Sequence, residues 1–220
     1  MIIRYTGHSC FKIFDDATGY SIMFDPYRPG SVPGYHPIRD VASEVCSSHE
    51  HDDHCGLECV TIEEKEESPY RVERIDTFHD PEKGALRGKN RIHVVTNKET
   101  GEKLVHYGDL GEKLDDLLTE ENLALIKDAD IVLVPVGGFY TIDMNEAMEL
   151  VNRTTPKLVI PMHFRSEIAG FGYPNIDTIE KFIDFASKSG KKVGVSRVSY
   201  INTGDIDLDC DILVLKPHNI

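Results

Sequence analysis

Residues 47–56 read S-S-H-E-H-D-D-H-C-G, and the six residues from His49 to His54 contain three histidines and two aspartates. The stretch follows A-S-E-V-C, a short predicted strand. In an extended chain His49 and His51 point the same way, and Asp53 continues that parity. Three imidazoles and a carboxylate suit zinc or another divalent transition metal. So many ligands in six residues are easier to satisfy with two neighbouring metals than with one.

Two other interpretations compete with a metal centre of this kind. The first is a solvated polar turn, but histidines are only 10 of 220 residues, and three at this spacing are improbable by chance. The second is a structural zinc site built from His51, His54, Cys55 and Cys59. Such a site usually takes another close pair of ligands from elsewhere, in C-x2-C style, and the sequence has none. The cysteines are therefore interpreted as small core residues.

The composition indicates an acidic protein with a packed core. The 220 residues suffice for one well-buried domain, and 40% of them are hydrophobic. The 24 basic and 38 acidic residues give a formal net charge of −14. Such a surface repels phosphate backbones, so nucleic acid is not an expected partner. A local basic pocket for a small anion remains compatible with it.

The compartment is inferred from what the sequence lacks. The first residues, M-I-I-R-Y-T-G-H, have no basic region followed by an apolar run and a cleavage site. No stretch approaches the roughly 18 apolar residues of a membrane span. The five cysteines are an odd number and are expected to be free thiols in a reducing environment. A cytoplasmic protein without a membrane partner is predicted.

The order of predicted elements indicates one domain over residues 1–220. Strands and hairpins dominate the first half, whereas strands alternate with helices in the second. One helix is predicted to begin at Asp143 and Glu146, which are spaced as in a capping box. The pattern predicts two sheets packed face to face with helices outside. Residues 26–40, with four prolines and two glycines, are a predicted loop that lines a pocket or joins a contact in a homo-oligomer.

The stretch H-E-H-D-D-H fits the H-x-H-x-D-H signature of the metallo-β-lactamase superfamily of metal-dependent hydrolases, which the chain resembles over nearly its whole length. Further matching segments are G-H-S-C at 7–10, F-D-P at 24–26, a lone histidine at 79, H-Y-G-D at 106–109, G-G-F-Y-T at 137–141 and I-P-M-H-F at 160–164. The last two most resemble the small bacterial and archaeal branch that includes the ascorbate-phosphate lactonase type. The resemblance implies an α/β protein (α+β by some schemes) with a four-layer αβ/βα sandwich.

The resemblance also implies a set of seven metal ligands. The first metal would be held by His49, His51 and His79, the second by Asp53, His54 and His163, and Asp109 would bridge the two. His79 ends its predicted strand, as a ligand at a sheet rim should. His93 instead sits in mid-strand, and His106 is three residues from Asp109, so the two face opposite sides of a strand.

Other side chains are expected to support this centre. The resemblance implies that Asp25 orients a ligand imidazole through a hydrogen bond. His8 is expected to line the pocket as a catalytic residue, and Asp53 to orient the attacking water while ligating. The arginines Arg28, Arg39 and Arg165 lie in segments expected to rim the site, where they could receive an anionic substrate.

The expected activity is metal-dependent hydrolysis. Two metals ~3.5–4 Å apart can share a water and lower its pKa towards ~7, which makes hydroxide the nucleophile. No G-x-S-x-G elbow or P-loop offers another chemistry. The predicted cofactors are two divalent ions, first of all Zn, with Mn, Ni or Fe as alternatives. The predicted substrate is a small molecule with an ester, lactone or phosphoester bond, and an anionic substrate is compatible with this prediction.

Three other functions stay open at this point. A phosphodiesterase is the nearest, because the superfamily also cleaves phosphodiesters. An iron-dependent redox enzyme on the same fold would differ in its bound metal and its colour. A non-catalytic metal-binding module would show no activity towards broad panels of esters and phosphodiesters.

Overall fold

The first half of the chain is built of strands, as its alternating apolar pattern predicts. A computed structural model describes residues 1–205 and 209–220, so that residues 206–208 of the predicted domain lie outside the description. The strands of this half are β1 (Ile2–Gly7), β2 (Cys10–Phe14), β3 (Ser21–Phe24), β4 (Asp40–Ala42), β5 (Glu44–Cys46), β6 (Val60–Ile62), β7 (Tyr70–Phe78), β8 (Lys89–Asn97) and β9 (Lys103–His106). A 3-10 turn at Leu57–Cys59 follows the histidine-rich stretch.

The second half alternates helices and strands. Its elements are α1 (Leu114–Leu117), α2 (Glu120–Ile126), β10 (Ile131–Pro135), α3 (Met144–Thr154), β11 (Leu158–Met162), α4 (Ile179–Lys188), β12 (Val193–Val195), β13 (Tyr200–Asn202), a 3-10 turn (Thr203–Asp205) and β14 (Ile212–Val214). The predicted capping box is confirmed, because the Asp143 carboxylate accepts the Glu146 N–H while the Glu146 carboxylate accepts the Asp143 N–H. Within the described ranges, none of the helices combines the length and apolarity that crossing a bilayer requires.

The strands form two large sheets and one small one. The orders are β13-β1-β2-β3-β5 in the five-stranded sheet, β12-β14-β11-β10-β9-β8-β7 in the seven-stranded sheet and β4-β6 in the two-stranded sheet. Strand β13 was not expected from the sequence. It pairs antiparallel with β1, with Ile201 opposite Ile3, and so short a segment is defined by its distant partner and not by its own pattern.

The two large sheets pack face to face, which confirms the predicted architecture. The ring of Phe24 on β3 stacks on the ring of His106 on β9, with centroids 5.3 Å apart. His106 Nε2 also lies 2.9 Å from the carbonyl oxygen of Ser9. His93 on β8 is buried 5.7 Å from Phe24. Both histidines are therefore part of the interface between the sheets.

The carboxyl ends of the parallel strands meet along one rim of the molecule. In the five-stranded sheet β1, β3 and β5 share one direction, and in the seven-stranded sheet β7, β9, β10 and β11 share another. The edges of the two sheets meet at this rim, where the N–H of His163, just after β11, donates to the carbonyl of His8, just after β1. Clefts outside the carboxyl ends of parallel strands are common ligand sites in α/β proteins.

Candidate metal centre

The histidine-rich stretch is a tight turn and not the extended chain that the sequence predicts. The N–H groups of His54 and Cys55 both donate to the His51 carbonyl at 2.9 Å. The Ser47 hydroxyl closes the turn by donating to the carbonyls of His49 and His54, at 2.6 and 2.9 Å. The turn still brings His49 Nε2 within 3.1 Å of His51 Nδ1. The predicted convergence of these two residues is correct, but strand parity is the wrong reason for it, because strand β5 has already ended at Cys46.

Ligand atoms of eight side chains converge at the rim in three overlapping groups. Within each group the atoms lie no more than 4.8 Å from one another. The groups are His49, His51 and His79; His8, Asp53, His54 and His163; and His49, His54 and Asp109. All seven predicted ligands are thus brought together in the described part of the chain. The first group is one predicted set of three, and the second contains the other predicted set together with His8.

The Asp109 carboxylate lies between the first two groups. Its Oδ2 is 2.8 Å from His79 Nε2, 3.1 Å from His54 Nε2 and 3.2 Å from His163 Nε2. One oxygen therefore contacts histidines of both groups. The loop is anchored by Asn90, whose amide oxygen accepts the Asp109 N–H at 2.9 Å.

The electrostatics of the cluster favour ionised carboxylates and several neutral imidazoles. Burial would raise the pKa of Asp109, but the charges of His163 and His54 bring it well below its usual range. Burial, with repulsion by His54, lowers the pKa of His49 to about 3. Burial likewise lowers the pKa of His8 to about 4. Burial would lower the pKa of His54, but the charges of Asp109, Asp53 and Asp25 raise it well above its usual range. Because neutral imidazoles and ionised carboxylates are the forms that bind a metal, His54 must release a proton to become a ligand.

The residues at the rim fit a divalent metal ion. In the described part of the chain, Asp109 Oδ1 is buried without a hydrogen-bond partner, and buried His54 Nε2 has an ion-pair contact with Asp109 Oδ2 but no well-aligned hydrogen bond. Buried polar atoms without partners are costly and uncommon, and an ion would satisfy them. Imidazole nitrogens and carboxylate oxygens without thiolates suit zinc and similar first-row metals.

Asp25 lies behind His54, where the sequence predicts an orienting residue. Its carboxylate accepts the Ser48 N–H and the Ser48 hydroxyl, each at 2.6 Å, and contacts His54 Nδ1 at 2.8 Å. Burial would raise the pKa of Asp25, but the charge of His54 keeps it below its usual range. An ionised Asp25 accepts a hydrogen bond from Nδ1–H of His54. This contact orients the ring so that Nε2 faces Asp109.

Asparagine at position 25 is expected to weaken metal binding by about 10- to 100-fold, the usual effect of losing a residue that orients a ligand. An amide keeps one acceptor oxygen, so it cannot accept both the Ser48 N–H, which contacts Asp25 Oδ1, and His54 Nδ1, which contacts Asp25 Oδ2. Metal affinity is measured by competition with a chelator. Asp52→Asn is the matched control, because Asp52 lies exposed in the same turn outside the three ligand groups. An unchanged affinity in Asp25→Asn would contradict this role.

His8 lies deeper in the centre than a pocket-lining residue would. The pairing of β1 with β2 is irregular between Tyr5 and Gly7, and His8 follows with a positive φ of 56°. Its Nε2 is 3.3 Å from Asp53 Oδ2, and its ring centroid is 4.3 Å from that of His163. His163 is also left-handed, with a φ of 52°. Strained backbone of this kind concentrates at functional sites, and the catalytic role of His8 stays a prediction.

The turn after β10 packs directly against His163, and this close contact requires a glycine at position 137. A Cβ at Gly137 would overlap the carbonyl oxygen of His163. Only glycine lets the two loops approach so closely. The loop continues to Tyr140, which reaches the centre.

A cavity of about 320 Å³ opens onto the centre. Its wall consists of His51, Asp53, His79, Leu86, Arg87, Asp109, Tyr140, His163 and Tyr173. Sequence reasoning missed Arg87, Leu86, Tyr140 and Tyr173. Only Tyr140 had a signal, since it lies in the matching segment G-G-F-Y-T. The Tyr173 hydroxyl lies 3.2 Å from Asp53 Oδ2 and 2.8 Å from the Ser31 carbonyl, which ties the predicted 26–40 loop to the site.

The arginines expected to bind substrate do not line this cavity. Arg28 is exposed and forms ion pairs with Asp52 and Glu58. Arg165 pairs with Glu167 at 2.6 Å and donates to a backbone carbonyl. Arg39 is exposed. Acidic neighbours draw the first two away from the centre, so their role in binding substrate stays a prediction without support from this geometry.

Comparisons with known proteins agree with this architecture. A family model described as the β-lactamase superfamily domain matches residues 2–163. A UPF0173 metal-dependent hydrolase of Hyperthermus butylicus is 26% identical over an alignment that covers 98% of this chain and 96% of its own length.

Solved structures give the same result. A proposed Zn-dependent hydrolase of the metallo-β-lactamase superfamily from Thermotoga maritima superposes with a TM-score of 0.69 at 25% identity, covering 97% of each chain. A metallo hydrolase of Ignicoccus hospitalis gives a TM-score of 0.59 at 19% identity, over 86% of this chain and 91% of its own. The second likeness bears on the fold alone.

Proposed function

We infer the function from one premise: the chain belongs to the β-lactamase superfamily, and it is a metal-dependent hydrolase. We propose that it binds two divalent ions, with zinc first and Mn, Ni or Fe as alternatives. With them it hydrolyses an ester, lactone or phosphoester bond of a small molecule. The position of Asp109 Oδ2 carries the proposal, because this one oxygen contacts histidines of both ligand groups.

The proposed ligands follow the first two groups described above. His49, His51 and His79 would hold one ion, Asp53, His54 and His163 would hold the other, and Asp109 would contribute to both sites. His8 lies within the second group as well. His8 would either bind the second ion or remain an unligated neutral imidazole next to Asp53. Bound ions would supply Lewis acidity towards the oxygen under attack and would acidify a water molecule.

The residues of the chain orient the reacting groups. Burial would raise the pKa of Asp53, but the charge of His54 and the contact with His8 keep it below its usual range, so Asp53 stays ionised. Burial and the charge of Asp53 raise the pKa of Tyr173, which stays protonated. The Tyr173 hydroxyl lies 3.2 Å from Asp53 Oδ2 and 2.8 Å from the Ser31 carbonyl, so its single proton serves one of these two acceptors at a time beside Asp53 at the cavity wall. From there Asp53 can orient a water and accept its proton.

The size and charge of the site support a small-molecule substrate. A cavity of about 320 Å³ is at the lower end of pockets that enclose small ligands. The net charge of −14 disfavours a nucleic-acid polymer.

The test is a panel of lactones, carboxylic esters, phosphodiesters and phosphorylated sugars, assayed before and after metal stripping. We expect hydrolysis in at least one class and a loss of at least about 1,000-fold on stripping, because a metal ion supplies several kcal/mol of transition-state stabilisation. Added zinc should restore the activity. Full activity after exhaustive stripping would contradict the proposal.

A further inference from the structure

Arg87 lies at the mouth of the candidate centre with its charge unmatched. We propose that Arg87 binds the anionic group, a carboxylate or a phosphate, of the small-molecule substrate while the scissile bond lies at the metal centre. This inference rests on the proposed function and adds to it the substrate's chemical class, a small organic anion.

Arg87 stands where two cavities meet. The cavity of about 320 Å³ at the centre and a neighbouring one of about 600 Å³ share two wall residues, Arg87 and His51. Arg87 is the one lysine or arginine that the described residues contribute to the smaller cavity. A ligand that reaches from the centre towards the larger cavity therefore passes the guanidinium group.

The loop that carries Arg87 is fixed from below by Asp80, the residue directly after His79. The buried Asp80 carboxylate accepts the backbone N–H groups of Glu82, Gly84, Leu86 and Arg87, at 2.7 to 3.1 Å. The bond from Arg87 is the shortest, at 2.7 Å. A group held by a rigid loop loses less conformational freedom when it binds a ligand. Asp80 thus holds the backbone of Arg87 in place relative to His79.

The guanidinium group itself is free to receive an anion. It lies over the ring of Tyr140, with Cζ 5.7 Å from the centroid. In the part of the chain that the structure describes, no carboxylate lies within 4 Å of it, whereas Arg28, Arg91 and Arg165 all form such pairs. An unpaired arginine stacked on a ring presents its donors as a planar fork, which matches a carboxylate or a phosphate.

The surroundings of Arg87 indicate the rest of the ligand. Leu86 lies in the same wall and is 68% exposed. Tyr140 also lies in this wall. Both offer apolar surface to a short carbon skeleton between the anionic group and the scissile bond.

The test measures anion binding with two probes, inorganic phosphate by phosphorus NMR and propionate by saturation-transfer NMR. Wild-type protein is compared with Arg87→Gln and with Arg71→Gln, which removes the same charge from an exposed residue on β7. We expect Arg87→Gln to weaken binding of at least one probe about tenfold or more, the usual loss for a charge-assisted hydrogen bond. Arg71→Gln should match the wild type. The probe with the larger loss distinguishes a phosphate from a carboxylate.

Metal content, measured on the same samples, separates this inference from the proposed function. We expect Arg87→Gln to retain its metal. Binding of both probes at wild-type strength in Arg87→Gln would overturn the inference even if two metals are present. Arg87-dependent binding in a protein without metal would contradict the proposed centre and leave the anion site standing.

Discussion

Replacing Asp109 with asparagine is expected to lower hydrolase activity at least about 1,000-fold, since several kcal/mol of stabilisation depend on the ions and ~1.4 kcal/mol is a factor of ten. Asp109 Oδ2 is within 3.2 Å of an imidazole nitrogen on three histidines from both groups. An amide keeps the size of the side chain but removes its charge. The variant should therefore lose affinity for both ions together.

Metal content and activity are measured on the same preparation of Asp109→Asn. Circular dichroism and thermal unfolding show whether the fold persists. Asp116→Asn is the matched control, because Asp116 is an exposed aspartate on α1, away from the centre. If Asp109→Asn retained both ions and wild-type activity, Asp109 would not be a shared ligand.

Replacing His51 with alanine is expected to empty one ion site and leave the other occupied, so that bound metal falls from about two ions per chain to about one. Activity should fall at least ~100-fold, because both ions stabilise the reacting oxygens. His51 belongs only to the group with His49 and His79. Its side chain is exposed, so the fold should tolerate the change.

His36→Ala is the matched control, since His36 is an exposed histidine outside the three ligand groups. Elemental analysis gives the stoichiometry, and thermal unfolding confirms that the variant is folded. A His51→Ala protein that lost both ions would indicate one shared site in place of two. One that lost neither would remove His51 from the centre.

Much of the fold and most of the centre could be predicted from the sequence. Apolar alternation and helix caps are local signals, so the strand-rich first half and the helix start at Asp143 were predicted correctly. The ligand types and their places at strand ends carry the chemistry of the centre. The family resemblance, together with these places at strand ends, predicted that His79, Asp109 and His163 would join the histidine-rich turn.

What the sequence missed depends on contacts between distant segments. Strand β13 forms because Ile201 pairs with Ile3, a residue near the opposite end of the sequence. Tyr173 reaches Asp53 from 120 positions away. Arg28 was expected at the site, but it forms ion pairs with Asp52 and Glu58. Arg87 was overlooked because only the fold of its loop and its contact with Tyr140 place it at the centre. Which arginine finds an acidic partner is settled by tertiary structure.

The central claim is that Asp109 joins two metal sites in one chain. Elemental analysis of metal-replete wild-type protein tests it most directly, because each ligand group should retain one ion through extensive dialysis. The predicted result is about two divalent ions per chain, as in other two-metal hydrolytic sites. A saturated protein that retains no ion, or only one, would contradict the claim.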